Sequence, residues 1–171
     1  MPRRTPTSPL GALGRGIAAG IVGTAALTAV QTAVAMRRGS SLRDAVAPDP
    51  PESWEEAPAP GQVGHRLLRV LFSEETPPRR ANVVTNVVHW AYGAGWGGLY
   101  GVVQGTVRGG AVVTGSAFGA TVLAASYTVL PAMEIYDKPW EYPPRSLALD
   151  GGYHLVYGLA VAGAYRLLDR R

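Results

Sequence analysis

Cysteine is absent from the 171 residues, and lysine occurs once, at Lys138. Without thiols, disulfides, cysteine-bound zinc and thiol nucleophiles are excluded. The basic surplus, a formal net charge of +4, therefore rests on arginine. These arginines stand at the ends of apolar segments, not on a continuous basic face mixed with aromatic residues, so nucleic-acid binding is excluded too. The most informative scarcity is that of charge over long stretches. No Asp, Glu, Lys or Arg occurs from Gly16 to Met36, between Arg80 and Arg108, or from Gly109 to Met133. A fourth stretch, Ser146 to Tyr165, holds one charged residue, Asp150.

A helix needs roughly 20 mostly apolar residues to cross a hydrocarbon layer about 30 Å thick. Three of these stretches meet that length outright, and the fourth meets it with Asp150 as an interruption. The chain is long enough for one domain. The expectation is an all-α fold: an integral membrane four-helix bundle with spans at 15–36, 81–106, 110–133 and 147–168.

The connections differ from the spans in composition. Residues 1–14 carry Arg3 and Arg4 among prolines and read as a flexible basic tail. Residues 1–35 also fit a secretory signal, with Ala33-Val34-Ala35 as the cleavage site. A retained span is favoured because the segment shares the packing pattern of the other three. Residues 37–80 form a polar loop, and its Pro- and Glu-rich part up to Pro60 has too little apolar surface to fold, so it reads as extended. Within that loop, 62–73 sets Leu67, Leu68, Val70, Leu71 and Phe72 beside His65, Arg66 and Arg69. That pattern predicts a short amphipathic helix, placed either in the lipid headgroup region or on the protein's own outer face. Arg108-Gly109-Gly110 predicts a tight turn, and Pro131 should distort the third span near its end. In the connection 134–146, Tyr136, Trp140 and Tyr142 suit a membrane interface. An even number of spans puts both termini on one side. Arg15, Arg108 and Arg166 mark that side as cytoplasmic, although Arg37, Arg38, Arg79 and Arg80 weigh against this orientation.

The second and fourth spans share a pattern at one offset. His89-x-x-Tyr92-Gly93 and Gly98-x-Tyr100 match His154-x-x-Tyr157-Gly158 and Gly163-x-Tyr165. The first and third match more weakly, at Gly23/Gly119, Leu27/Leu123, Ala29/Ala125 and Thr32/Thr128. Two tandem helical hairpins, running in the same direction, are expected. Small residues four apart form stripes on every span: Gly16, Gly20, Thr24, Thr28 and Thr32; His89, Gly93, Gly97 and Gly101; Gly115 and Gly119; Asp150, His154, Gly158 and Ala162. Such stripes let helix backbones approach closely in lipid, so His89 and His154 should face inward at similar depth.

Ionisable groups inside a membrane are functional candidates by default. The polar set is His89, His154, Asp150, Asn86 and Gln31, with Asn82 nearby, and three readings apply to it. Each imidazole can hydrogen-bond a neighbour, such as Asp150 or Thr85 one turn away or a tyrosine across the interface. The set can form a proton or small-solute path. His89 and His154 can also ligate one haem b, although glycine stripes bring backbones too close for a porphyrin. No other cofactor or metal site is expected. Gly93-x-Gly95 follows no strand and is no phosphate loop. Glu134, Asp137 and Glu141 form an acidic group able to bind a cation, but a solvated loop with Lys138 and Arg145 as counter-charges is the favoured reading. The serines lack a histidine and a carboxylate at triad spacing. No enzymatic activity is expected.

Tyr136-Asp137-Lys138-Pro139-Trp140-Glu141, followed by His154-Leu155-Val156-Tyr157 and an arginine-ended C-terminus, resembles the YagU-type bacterial inner-membrane proteins. The resemblance runs over most of the chain, on short motifs. It implies a small multi-pass inner-membrane protein with cytoplasmic termini, and it assigns no catalytic residues. The functional expectation is an accessory or structural subunit, with the lipid bilayer and either other membrane subunits or further copies of itself as partners.

Overall fold

The computed structural model describes residues 8–73, 75–107 and 109–169. The described chain is all-helical, and it contains no strand. Its helices are α1 (Pro9–Arg37), α2 (Leu42–Val46), α3 (Ala59–Phe72), α4 (Ala81–Gln104), α5 (Ala111–Ala132) and α6 (Pro144–Leu168), with 3₁₀ turns at Pro78–Arg80 and Pro139–Glu141. Two of the four long helices, α1 and α5, are long and apolar enough to cross a membrane. By the same measure α4 and α6 fall short, since α4 carries Asn82, Asn86 and His89 and α6 carries Asp150 and His154.

The first helix begins earlier than its sequence predicts. Ser8 caps it by accepting a hydrogen bond from the Gly11 amide at 3.1 Å, and Pro9 opens it. A proline at the first helical position loses no bond. Residues 9–14 are therefore helical, while 1–7 lie outside the described residues, as does Arg108 of the expected tight turn. The polar loop is more folded than expected as well. It contains α2; Trp54 Nε1 donates to the Thr76 carbonyl at 2.7 Å; and Gln62 Nε2 donates to the carbonyls of Glu55 at 3.0 Å and Ala57 at 2.9 Å. Trp54 and Ala57 give this stretch the apolar surface that its Pro/Glu composition otherwise lacks.

Two antiparallel pairs, α1 with α4 and α5 with α6, are built on glycine. A Cβ placed on Gly97 would strike the backbone of Gly16 and Gly20, and one on Gly158 would strike the backbone of Gly115 and Gly119. The α1–α4 pairing continues to Gly101, which abuts the Ala12 carbonyl. A polar member of the same stripe stays satisfied, because Thr24 Oγ1 donates to its own helix at the Gly20 carbonyl, 2.9 Å away. The pairs correspond to each other, as the repeat predicts, with Gly93 equivalent to Gly158. The weaker half of that repeat is one residue out of step. Gly93 faces Thr24 as Gly158 faces Gly119, so Thr24, not Gly23, is the counterpart of Gly119. Gly23 instead meets Tyr157 and Val161 of α6.

Aromatic residues fill the space between the pairs. Phe118 of α5 packs 4.8 Å from the Tyr100 ring, 5.8 Å from Tyr157 and 6.2 Å from Trp96, centroid to centroid. The terminal ends of α1 and α6 meet where Arg15 lies 3.6 Å from Asp169. There, Arg166 also donates to the Gly109 carbonyl.

Gly97 and Gly95 separate packing from intrinsic helix propensity. A methyl group at Gly97 meets only backbone, whereas Gly95 has open space. Gly97→Ala should lower stability by about 1–3 kcal/mol through overpacking. Gly95→Ala should leave it unchanged or raise it by about 0.5–1 kcal/mol. Denaturant titration in mild detergent, followed by helical circular dichroism, compares the two; equal effects would dissociate the glycines from the pairing.

Candidate functional site

Two tyrosines fix the relative height of α4 and α6. Tyr157 Oη donates to the Gly93 carbonyl at 2.6 Å, and Tyr165 Oη donates to the Gly101 carbonyl at 3.2 Å. The two helices therefore run parallel, and His89 and His154 lie toward the same end of the pair. Their matched depth follows from the sequence repeat, whereas their partners do not.

His89 reaches across to α1, where its Nε2 lies 3.2 Å from Thr28 Oγ1. Thr28 stands one turn beyond Thr24 on the α1 stripe, so the packing that joins the backbones also delivers this hydroxyl. Thr85, an expected partner of His89, makes no hydrogen bond through its buried Oγ1 and lies against Gly61 of α3 instead. His154 Nδ1 is 2.9 Å from the backbone carbonyl of Asp150, one turn back on α6. The Asp150 side chain points elsewhere: its Oδ2 accepts from Tyr127 Oη at 2.7 Å. Tyr127 belongs to a trio with Tyr136 and Tyr142, whose ring centroids lie 5.8 to 6.2 Å apart. Burial, reinforced by the nearby Asp150 and Tyr142, pushes the Tyr136 phenol above its ordinary range.

The remaining members of the expected polar set do not join the histidines. Asn86 is exposed and donates to the carbonyl of Asn82 on its own helix at 2.9 Å. Asn82 Nδ2 is bound to the Pro48 carbonyl at 2.6 Å, which anchors the loop to the start of α4. Gln31 is exposed on α1. His89, His154 and Asp150 are thus each satisfied locally, in two separate groups: Thr28 with His89, and Tyr127 with Asp150.

A haem between His89 and His154 does not fit these contacts. Bis-histidine ligation needs an imidazole nitrogen from each helix turned into a shared gap. Here His89 Nε2 is taken by Thr28, and the Tyr157 hydroxyl holds α6 against α4 one turn away. Among the described residues, no three His, Cys, Asp or Glu side chains come together to hold a metal ion.

A second polar region was only partly legible in the sequence. On the side opposite the termini, α3 lies on α4, with Gly61 against Thr85 and Gly64 against Val84 and Val88. Arg66 donates to the Met133 carbonyl at the end of α5. A cleft of about 680 Å³ opens there, lined by Trp54, Gln62, His65 and Arg69 among others. Trp54 stacks on His65 with ring centroids 4.3 Å apart and planes 8° from parallel. The sequence signal for Trp54 was present, since it is the lone aromatic residue of a Pro- and Glu-rich stretch.

The Thr28–His89 contact can be measured directly. A double-mutant cycle with Thr28→Val and His89→Ala should give a coupling of about 0.5–1.5 kcal/mol, the range of one hydrogen bond. Additive losses in the same denaturation assay would remove that bond from the account. Comparison of the chain with known protein families, with curated proteins and with solved structures returns no match.

Proposed function

We propose that the protein is a four-span integral membrane protein of the bacterial inner membrane that serves as a non-enzymatic accessory or structural subunit. The observation that carries the reading is an inverted distribution of polarity. Only 22% of each apolar stretch in α1 and α5 is buried inside the protein. A core helix of a water-soluble domain would be largely covered. Val112 and Val113 of α5 are 66% to 70% exposed, and the exposed apolar side chains continue onto the other two long helices, with Val83 and Val87 of α4 63% to 65% exposed and Leu155 and Leu167 of α6 exposed too. The interior, by contrast, is mostly glycine, alanine and hydrogen-bonded tyrosine and threonine, with Val122 and Val161 as its buried aliphatics. Lipid accepts such an outer surface, and water does not.

The four long helices form two related hairpins, so α4 and α6 cross the membrane beside α1 and α5 despite their polar residues. His89, Asp150 and His154 are compatible with burial in lipid because they are hydrogen-bonded within the bundle, and Asn82 and Asn86 stand in the first turns of α4, toward its end. Gly95, Gly152 and Gly163 have open space at their Cβ positions, and outward small residues of this kind are where a further transmembrane helix packs. This favours a subunit role over a self-contained catalyst. The resemblance of the Tyr136–Glu141 and His154–Tyr157 motifs to the YagU-type proteins supports the same reading, with both termini in the cytoplasm.

The absence of cysteine makes the topology testable with single introduced thiols. Ser40→Cys and Ser146→Cys should be labelled by an impermeant maleimide from the periplasmic side of intact cells. Gly110→Cys should be labelled only after the inner membrane is opened. If only α1 and α5 crossed, residues 40 and 110 would share a side, and equal labelling of those two thiols would rule out four spans. Mild-detergent purification addresses the subunit role, for which a companion protein or a self-assembly is expected. A clean monomer would end that role.

A further inference from the structure

The cleft beside α3 carries chemistry that a purely structural helix does not need. Its lining combines two cations, Arg66 and Arg69, with two carboxylates, Glu55 and Glu134, over an aromatic floor of Trp54 and His65. Its volume of about 680 Å³ falls inside the range of roughly 300–1,000 Å³ typical of small-molecule sites. The walls are fixed before any ligand arrives. Trp54 is held by Thr76, Gln62 by two loop carbonyls, and Arg66 by the end of α5. Polar capacity is nevertheless left over. His65 Nδ1 is buried without a hydrogen-bond partner. Arg69 is paired with Glu75 across 3.6 Å, with both side chains more than half exposed, a contact of little energetic weight. Glu55 is held below the usual carboxylate range by its own backbone amide and by Ser53, so it offers a full negative charge.

One edge of the cleft is apolar. Val70 lines it and is 80% exposed, and Leu67, Leu71 and Phe72 continue the same end of α3 into open space. Trp140, 77% exposed, stands on the same side of the molecule. An occupant must therefore satisfy both signs of charge within one small volume and extend an apolar part along α3. A singly anionic headgroup would leave Glu55 and Glu134 facing it without a counter-charge.

We propose that this cleft binds the headgroup of a zwitterionic phospholipid bearing a primary ammonium, a phosphatidylethanolamine-type lipid. Arg66 and Arg69 receive the phosphate, Glu55 and Glu134 receive the ammonium, and the acyl chains follow Val70, Leu71 and Phe72 into the bilayer. The assignment rests on the membrane reading above and makes α3 a lipid-binding element rather than a passive cap.

The full chain in detergent micelles can be titrated with short-chain phosphatidylethanolamine, phosphatidylcholine, phosphatidylglycerol and inorganic phosphate, with bound species counted by native mass spectrometry. Phosphatidylethanolamine should bind about tenfold more tightly than phosphatidylcholine, whose methylated ammonium has no N–H to give the carboxylates. Arg69→Gln should weaken both lipids alike, whereas Glu134→Gln should erase the preference between them; helical circular dichroism confirms that each variant is folded. Equal binding of all three lipids, a preference for phosphatidylglycerol, or saturation by inorganic phosphate alone would overturn the proposal. Thiol labelling decides the membrane reading separately: a four-span pattern combined with unselective binding defeats the lipid site alone.

Discussion

Contact between α1 and α4 is made by backbone, and most of the remaining structure follows from that proximity. With Gly16 and Gly20 against Gly93, Gly97 and Gly101, no side chain separates the two helices. Dispersion between closely packed atoms is weak per pair but accumulates along such a seam. Because the helices touch, Thr28 lies within reach of His89, and the Gly93 and Gly101 carbonyls are held where Tyr157 and Tyr165 can donate to them. A bulky residue in the seam would move all of these groups together.

The second pair repeats the device with Gly115, Gly119 and Gly158, but the two pairs meet each other differently. Between them lie mainly rings, with Phe118 touching Tyr100, Trp96 and Tyr157, while Gly23 of α1 closes on Tyr157 and Val161 of α6. Each pair is thus a tight glycine-built unit, and rings from α4, α5 and α6 fill the joint beside the α1–α6 contact. The hydroxyls at that joint are not orphaned: Tyr100 Oη lies 3.0 Å from Thr114 Oγ1. Specific direction comes from these few bonds, since ring packing alone tolerates several tilts.

Much of this was legible in the sequence where periodicity carried it. Uncharged lengths located the four long helices, and the His-Tyr-Gly pattern gave the parallel course of α4 and α6. What could not be read depends on contacts between distant segments. The start of α1 was missed because residues 1–14 read as a basic, proline-bearing tail, yet Gly101 pressing on Ala12 gives that turn a packing partner. The α1-to-α5 correspondence slipped by one residue because a Gly/Ala-rich sequence offers near-equal matches in adjacent registers. Asn86 and Gln31 sit on the exposed faces of their helices, so grouping them with the histidines by polarity alone misplaced them. The loop's folded part depends on Trp54 finding Thr76, a long-range contact that leaves no local pattern.

One consequence concerns the order in which the chain is made. The first long helix touches both α4 and α6: Gly20 closes on Gly93, and Gly23 closes on Tyr157 and Val161. Its second partner is synthesised more than a hundred residues later. During translation α1 must wait with a notched, half-covered surface, able to pair early with α4 yet unable to finish until the final helix emerges. The same notch is open in that interval to any other small-faced helix nearby, so the moment of greatest exposure to a wrong partner falls before the ribosome has completed α6.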